Sequence, residues 1–259
     1  MTKTLAFGDD HSAEADLCWS WITMQRWDGW SLEIVTAEPR ADMRPLSSDE
    51  AVLQRWEPDS PREGGDAGFE SVVYLHAEMD PRVALIAKPW DLVAIGPRGS
   101  GLLKRLHLGS ASDWLLREPA SPLVIARDSE TVRSVLFAAD GSPHAQLALD
   151  CLISLPWITG TSVHVVAVDD GHTVVEDVAG DAVRALSAAG VQTTRAVRRG
   201  RPADEILEEI TQISPNLVVM GVRGHGSLKD RVLGSTTSAV ASSTEHTLLV
   251  AHAEGGREG

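Results

Sequence analysis

Two stretches decide the fold. Asp91-Leu-Val-Ala-Ile-Gly96-Pro-Arg-Gly99 is followed, across nine residues, by Gly109-Ser110; Asn216-Leu-Val-Val-Met-Gly221-Val-Arg-Gly224 is followed, across nine residues, by Gly234-Ser235. All of these glycines superpose at a constant offset of 125. Downstream, Ser121-Pro122-Leu-Val-Ile-Ala126 matches His246-Thr247-Leu-Leu-Val-Ala251 at the same offset. Upstream the register drifts as insertions make it drift: Leu5-Ala-Phe-Gly-Asp9 is matched with Leu136-Phe-Ala-Ala-Asp140 at an offset of 131, and Pro81 with Pro202 at 121. A repeat on this scale is a whole domain copied once. The two domains are read as residues 1–128 and 131–255, joined by the polar run from Arg127 to Arg133.

Within the second copy, five apolar runs (Val135 to Ala139, Val163 to Val168, Val191 to Val197, Leu217 to Met220, Thr247 to Ala251) are β-branched, strand-sized and separated by helical patterns. Such alternation predicts a parallel sheet. The first helix of this copy carries an inward stripe of Ala148, Cys151, Leu152 and Leu155, and its counterpart in the first copy carries Cys18, Trp21 and Ile22 behind Ser12 as N-cap. Both cysteines are therefore read as core. Pro81 to Gly96 is four residues shorter than Pro202 to Gly221, which predicts a helix trimmed by one turn and a functionally relaxed first copy. That copy also holds seven of the eight tryptophans, read as packing residues, and a polar stretch from Arg40 to Gly68 read as a long loop around a short helix.

Composition narrows the function. With 23 Lys and Arg against 37 Asp and Glu, the net charge is −14, which disfavours a broad nucleic-acid footprint. No apolar run approaches the length of a membrane span, and Met1 to Phe7 lacks the features of a signal peptide, so a soluble cytoplasmic protein is expected. Two cysteines are too few for a disulfide framework.

In an open parallel sheet, ligands bind beyond the carboxyl ends of the strands, where a following helix supplies amide groups and positive dipole. Two motifs fall at such ends. Asp140, followed by Gly141 and Ser142, closes the first strand of the second copy, and Asp9, followed by Asp10 and His11, is read as its counterpart. A carboxylate there can accept from a ribose hydroxyl or an adenine amino group. The glycine loops let backbone approach a phosphate closely, with Ser110 and Ser235 opening the last helices. Plain turn glycines and helix caps are the competing reading. Other motifs are absent or misplaced: there is no G-x-x-x-x-G-K-[ST] loop and no G-x-S-x-G elbow, and Gly99-Ser-Gly101 and Gly224-His-Gly226 end in Lys104 and Lys229 after the wrong strand for a dinucleotide fingerprint. Asp169-Asp170-Gly171-His172 with Glu176 and Asp177 departs from calcium-loop spacing and is read as a solvated acidic loop. His225, in the second glycine loop, has no identifiable carboxylate to orient it as a catalyst.

An Asp-ended first strand, the G-x-x-G, nine residues, G-[ST] loop and a Ser-Pro before the last strand resemble the universal stress protein family, over both halves. The resemblance implies an α/β fold of two tandem open-twisted parallel five-stranded sheets with helices on both faces. It further implies ATP, with or without Mg²⁺, as ligand, an intrachain pseudo-dimer and pairing of chains into a homodimer. Carried onto this sequence, the ligand residues are Asp140, Gly141, Ser142, Gly221, Arg223, Gly224, Gly234, Ser235 and Thr236, with Val166 or Val168 against the adenine. In the first copy they are Asp9, Gly96, Arg98, Gly99, Gly109 and Ser110. There the Asp-Gly-Ser turn is read as replaced by Asp9-Asp10-His11, and a second carboxylate repels a triphosphate unless Arg98, Lys104 or a metal ion neutralises it. Three functions stay open at this stage: a nucleotide-binding regulatory or stress-response module, a slow ATPase or phosphotransferase assisted by Ser235 or His225, and an assembly scaffold with relic sites.

Overall fold

The computed structural model describes residues 2–38, 53–63, 67–98, 108–118, 120–169, 175–224 and 233–252. The chain divides into two compact units, Met1–Ser129 and Glu130–Gly259.

In the first unit the elements run β1 (Lys3–Gly8), α1 (Ala13–Met24), β2 (Trp30–Ala37), β3 (Gln54–Arg55), β4 (Ser71–Ala77), α2 (Pro81–Ala84), β5 (Leu92–Ile95), α3 (Ser110–Arg117) and β6 (Leu123–Ile125). Its strands lie in the order β3-β4-β2-β1-β5-β6, all parallel except the two-residue β3, which runs antiparallel to β4. In the second unit they run β7 (Ser134–Ala138), α4 (Pro143–Ser154), β8 (Ser162–Asp169), α5 (Val175–Ala188), β9 (Gln192–Arg199), α6 (Pro202–Ile213), β10 (Leu217–Gly221), α7 (Ser235–Ser243) and β11 (Thr247–Ala251). The order here is β9-β8-β7-β10-β11, parallel throughout. Each unit is thus an open α/β sheet with helices on both faces. In each, the chain builds outward from its first strand and then returns to that strand's other side, which places a topological switch point between β1 and β5 and between β7 and β10.

Local chemistry explains the elements. Central strands such as β5 and β10 are buried end to end and read as continuous apolar runs, as parallel strands covered on two faces must. Ser12 and Ser142 cap α1 and α4 by accepting from Ala15 N and Ala145 N, both at 3.1 Å. Cys18 and Cys151 are buried, and burial pushes the Cys18 thiol up, so it stays protonated and inert. Trp19, Trp21, Trp27 and Trp30 are core residues of the first unit; Trp27 stacks on Phe69 at 5.6 Å and meets Trp21 and Trp30 edge-on.

One expectation is corrected. The helix after Pro81 is four residues long against twelve in α6, a loss of two turns rather than one. Pro89 disfavours helix at Lys88, and Trp90 Nε1 donates to Leu85 O at 3.1 Å, ending the helix in turns instead of extending it. In the polar stretch from Arg40 to Gly68, the described residues contribute the strand Gln54–Arg55 and no helix; residues 40–52 and 64–66 lie outside the described ones.

Removing the stacked indole in Trp27→Ala should cost about 3–5 kcal/mol in urea unfolding, and Trp56→Ala, at a residue 38% exposed, should cost clearly less.

Candidate functional site

At the second unit's switch point the expected residues meet. Asp140 Oδ1 accepts from Ser142 N at 2.9 Å across Gly141, whose φ of +75° suits glycine. Besides capping α4, Ser142 Oγ donates to Arg223 O at 3.1 Å, tying the turn after β7 to the loop after β10. Gly221 and Gly224 permit the closeness: a Cβ on the first would stand 2.7 Å from Ala145 N, and on the second 2.7 Å from Asp140 Oδ2. Gly234 N donates to Val222 O at 3.0 Å, so the chain returns to the strand end before α7 begins. No side chain caps α7, whose first residues, Ser235 and Thr236, follow directly on Gly234. Val166 is buried and Val168 half-buried at the end of β8.

The first unit repeats the construction in detail. Gly109 N donates to Pro97 O at 2.8 Å, and a Cβ on Gly96 would stand 2.5 Å from Glu14 O. Ser110 opens α3, again without a side-chain cap. Gly99 lies outside the described residues, as do Lys104, Asp170, His172, His225 and Lys229.

The alignment of the first strands requires correction. Leu5 pairs with Leu92 in β5, as Val135 pairs with Leu217 in β10, and Phe7 pairs with Ala94 as Phe137 pairs with Val219. Because β5 and β10 correspond at an offset of 125, the first strands correspond at 130, not 131. Asp10 is therefore the counterpart of Asp140, and Asp9 stands at the position of Ala139. The hydrogen bonds agree: Asp9 N donates to Val35 O as Ala139 N does to Val166 O, and Ser12 N donates to Asp10 Oδ1 at 3.1 Å as Ser142 N does to Asp140 Oδ1. His11, with φ of +57°, takes the place of Gly141. So the turn is not lost in the first unit; it reads Asp10-His11-Ser12. Matching apolar letters alone misplaced it by one residue, and the strand pairing reveals the error.

Asp9 is a different feature. Its side chain is buried, accepts from His11 N at 2.9 Å, and takes both Nε and a terminal nitrogen of Arg62 at 2.8 and 2.5 Å. Arg62, absent from the sequence-derived site, belongs to the polar stretch before β4, where no motif marks it. Also missed were Ser112 and Thr237. Ser112 Oγ donates to Gly96 O at 3.1 Å and Pro97 O at 2.9 Å, and Thr237 Oγ1 donates to Gly221 O at 2.9 Å, so each pins its helix to the preceding strand end. The same 125-residue offset relates them and was the available signal.

Over the first switch point lies a cavity of about 110 Å³, lined by Val35, Ala37, Leu85 and Leu115 below and by Asp9, Asp10, Arg98 and Ser112 among its polar groups. Cavities of this order accept one aromatic ring. Val35 and Ala37 are the counterparts of Val166 and Val168. Charge differs between the units. Arg98 Nε lies 3.6 Å from Glu14 Oε1. In the second unit the counterpart of Glu14 is His144, whose ring lies 5.0 Å from that of His252. Burial, followed by the neighbouring His144 and Arg223, pushes His252 down to about 4, and burial with Arg223 lowers His144 against the opposing pull of Asp140. Among the described residues no group of three or more His, Cys, Asp or Glu could hold a metal ion, and no helix is long and apolar enough to cross a membrane.

Known proteins are similar to this chain. Residues 131–252 match the model of the universal stress protein family. A universal stress protein of Synechocystis sp. is 28% identical over 189 residues, 71% of this chain and 66% of that protein. One from Mycolicibacterium smegmatis is 32% identical over 185 residues, 63% of this chain and 62% of that protein, so the chain spans just under two thirds of the length of these relatives. The crystal structure of a universal stress protein from Archaeoglobus fulgidus has the same fold, with a TM-score of 0.69 at 19% identity, covering 97% of this chain and 99% of that one.

Because the fold favours neutral His252, its contribution to stability is present above the ordinary histidine range and is lost as the pH falls from about 6.5 towards 4. Urea unfolding of the parent and of His252→Asn across this range should show the parent losing more stability on acidification, with the two curves converging in slope above about pH 7.

Proposed function

The chain belongs to the universal stress protein family, and from that premise we propose that it is a regulatory module whose state is set by an adenine nucleotide, with ATP as the ligand of the second unit. The observation that carries this reading is the convergence, at one switch point, of the Asp140-Gly141-Ser142 turn, residues 221–224 after β10 and the uncapped start of α7. Each part has a matching ligand group. The Asp140 carboxylate accepts from ribose hydroxyls or the adenine amino group, and Val166 and Val168 supply apolar contact for the ring. Amides of the glycine loop and of the first turn of α7 donate to phosphate oxygens, aided by the helix dipole. Arg223 adds a fixed positive charge. The units differ beside this arginine: Glu14 lies next to Arg98 in the first, whereas the second has His144, whose affinity for a proton is lowered by burial and by Arg223.

The amides and Arg223 are donors and a cation, suited to holding a phosphate chain. Binding that differs between two conformations of the protein is then enough to make occupancy a signal. The first unit, with its intact Asp10-His11-Ser12 turn and ring-sized cavity, is read as a second adenine site.

Denaturing protein purified without added nucleotide, and counting released nucleotide per chain by chromatography and mass spectrometry, tests the reading directly. ATP at about a hundred times its dissociation constant should stabilise the fold by about 2.7 kcal/mol, seen as a rise in Tm. Gly224→Val places a side chain against Asp140 Oδ2 and should abolish the second unit's share of that rise. An empty protein whose Tm ignores ATP would leave an assembly scaffold as the function.

A further inference from the structure

Two adjacent aspartates, Asp9 and Asp10, are among the residues lining the first unit's cavity, where the second unit has Ala139 and Asp140. Two negative charges side by side oppose any phosphate-bearing ligand. Asp9 cannot escape this by exposure to water, since its side chain is 1% exposed. Nor does it escape by protonation. Burial pushes its carboxyl up, but hydrogen bonds from Arg62 and the His11 amide, with the charge of Arg62, outweigh burial and hold it below the usual carboxylate range.

Arg62 is built into this position. Two of its nitrogens grip the two Asp9 oxygens, another bonds Asp16, and its guanidinium carbon lies 5.8 Å over the Phe7 ring. Its own amide donates to Tyr74 Oη at 2.9 Å, and the next residue is fixed by Trp19 Nε1 donating to Glu63 O at 2.8 Å. A segment between β3 and β4 thus delivers one cation to one buried anion. It does not line the cavity, so it acts on a ligand through Asp9.

We propose that Arg62 is the positioning residue that sets the charge selectivity of the first cavity: by neutralising Asp9, it admits a phosphate-bearing adenine ligand to a site with two neighbouring carboxylates. This rests on the reading of that cavity as an adenine site. The divergence is then compensated within the chain: the acidic substitution at position 9 is matched by an arginine from the stretch before β4, and the ligand class is kept.

Photolabelling of the full chain with azido-ATP and with azido-adenosine, followed by peptide mapping, reads each unit separately and leaves the second as internal control. Arg62→Ala should lower azido-ATP labelling of the first unit by about tenfold while leaving azido-adenosine labelling there and both labels in the second unit unchanged. The double change Arg62→Ala with Asp9→Ala, which installs the residue the second unit carries, should restore azido-ATP. Unchanged azido-ATP labelling in Arg62→Ala overturns the proposal. So does an equal loss of both probes that the double change fails to restore, which marks Arg62 as a structural brace. A parent chain whose first unit takes neither probe overturns the adenine reading and the proposal together.

Discussion

Each unit depends on a contact that only glycine allows. At the end of β5, and again at the end of β10, the first helix presses its opening turn so close to the strand that a Cβ on Gly96 or Gly221 would stand 2.5–2.7 Å from its backbone. No side chain fits at that distance, and relief by shifting a helix would unpack the buried stripe beneath it. The closeness brings the Asp-x-Ser turn over the loop that follows the strand, where Ser142 can reach Arg223 O and where the Asp140 carboxylate stands against Gly224. Ser112 and Thr237 secure the other side by binding the strand-end carbonyls from within the last helices. The same packing sets the turn after the first strand and the strand-end loop side by side, and that juxtaposition is what the proposed nucleotide reading rests on.

Duplication lets the two units be read as a natural experiment. What both retain, the glycines, the serine or threonine clamp and the D-x-S turn, is what the packing requires. What differs is charge. Glu14 lies beside Arg98 where His144 lies near Arg223, and buried Asp9 stands where Ala139 does. A buried carboxylate needs compensation, because an unpaired charge in the interior costs several kcal/mol, a large share of the margin by which a domain is stable. Arg62 meets that need. The long polar stretch before β4 therefore has a structural task at one of its residues, and its composition hides it.

Much of this was legible in the sequence for identifiable reasons. The 125-residue offset exposed the repeat because the glycine spacing is a backbone constraint that tolerates no drift. The stripes of α1 and α4 were legible because burial selects apolar residues at helical spacing, and Ser12 and Ser142 because caps are chemically narrow. The first-strand register failed for an equally physical cause. Leu5-Ala-Phe-Gly-Asp9 and Leu136-Phe-Ala-Ala-Asp140 are both apolar runs ending in aspartate, and in a strand buried on two faces the letters carry no period that fixes the frame. Hydrogen-bond pairing with the neighbouring strand fixes it. Arg62 was illegible because an ion pair between residues 9 and 62 obeys no local rule. The length of α2 was overestimated because counting residues between Pro81 and Gly96 cannot tell helix from the turns that Pro89 and Trp90 impose.

The correction at Asp9 changes what the duplication means. With Asp9 taken as the counterpart of Asp140, the first unit has lost its turn and gained a repulsive neighbour, which describes decay. With Asp10 as the counterpart, the turn is whole, His11 accepts a positive φ that costs a non-glycine residue about 1 kcal/mol or more, and the added carboxylate is paired. Decay would have no reason to preserve a strained residue or to supply a buried aspartate with a bidentate partner. Retention under a changed electrostatic setting explains both: the backbone of the turn is held fixed by packing, and the side chains around it are free to change charge.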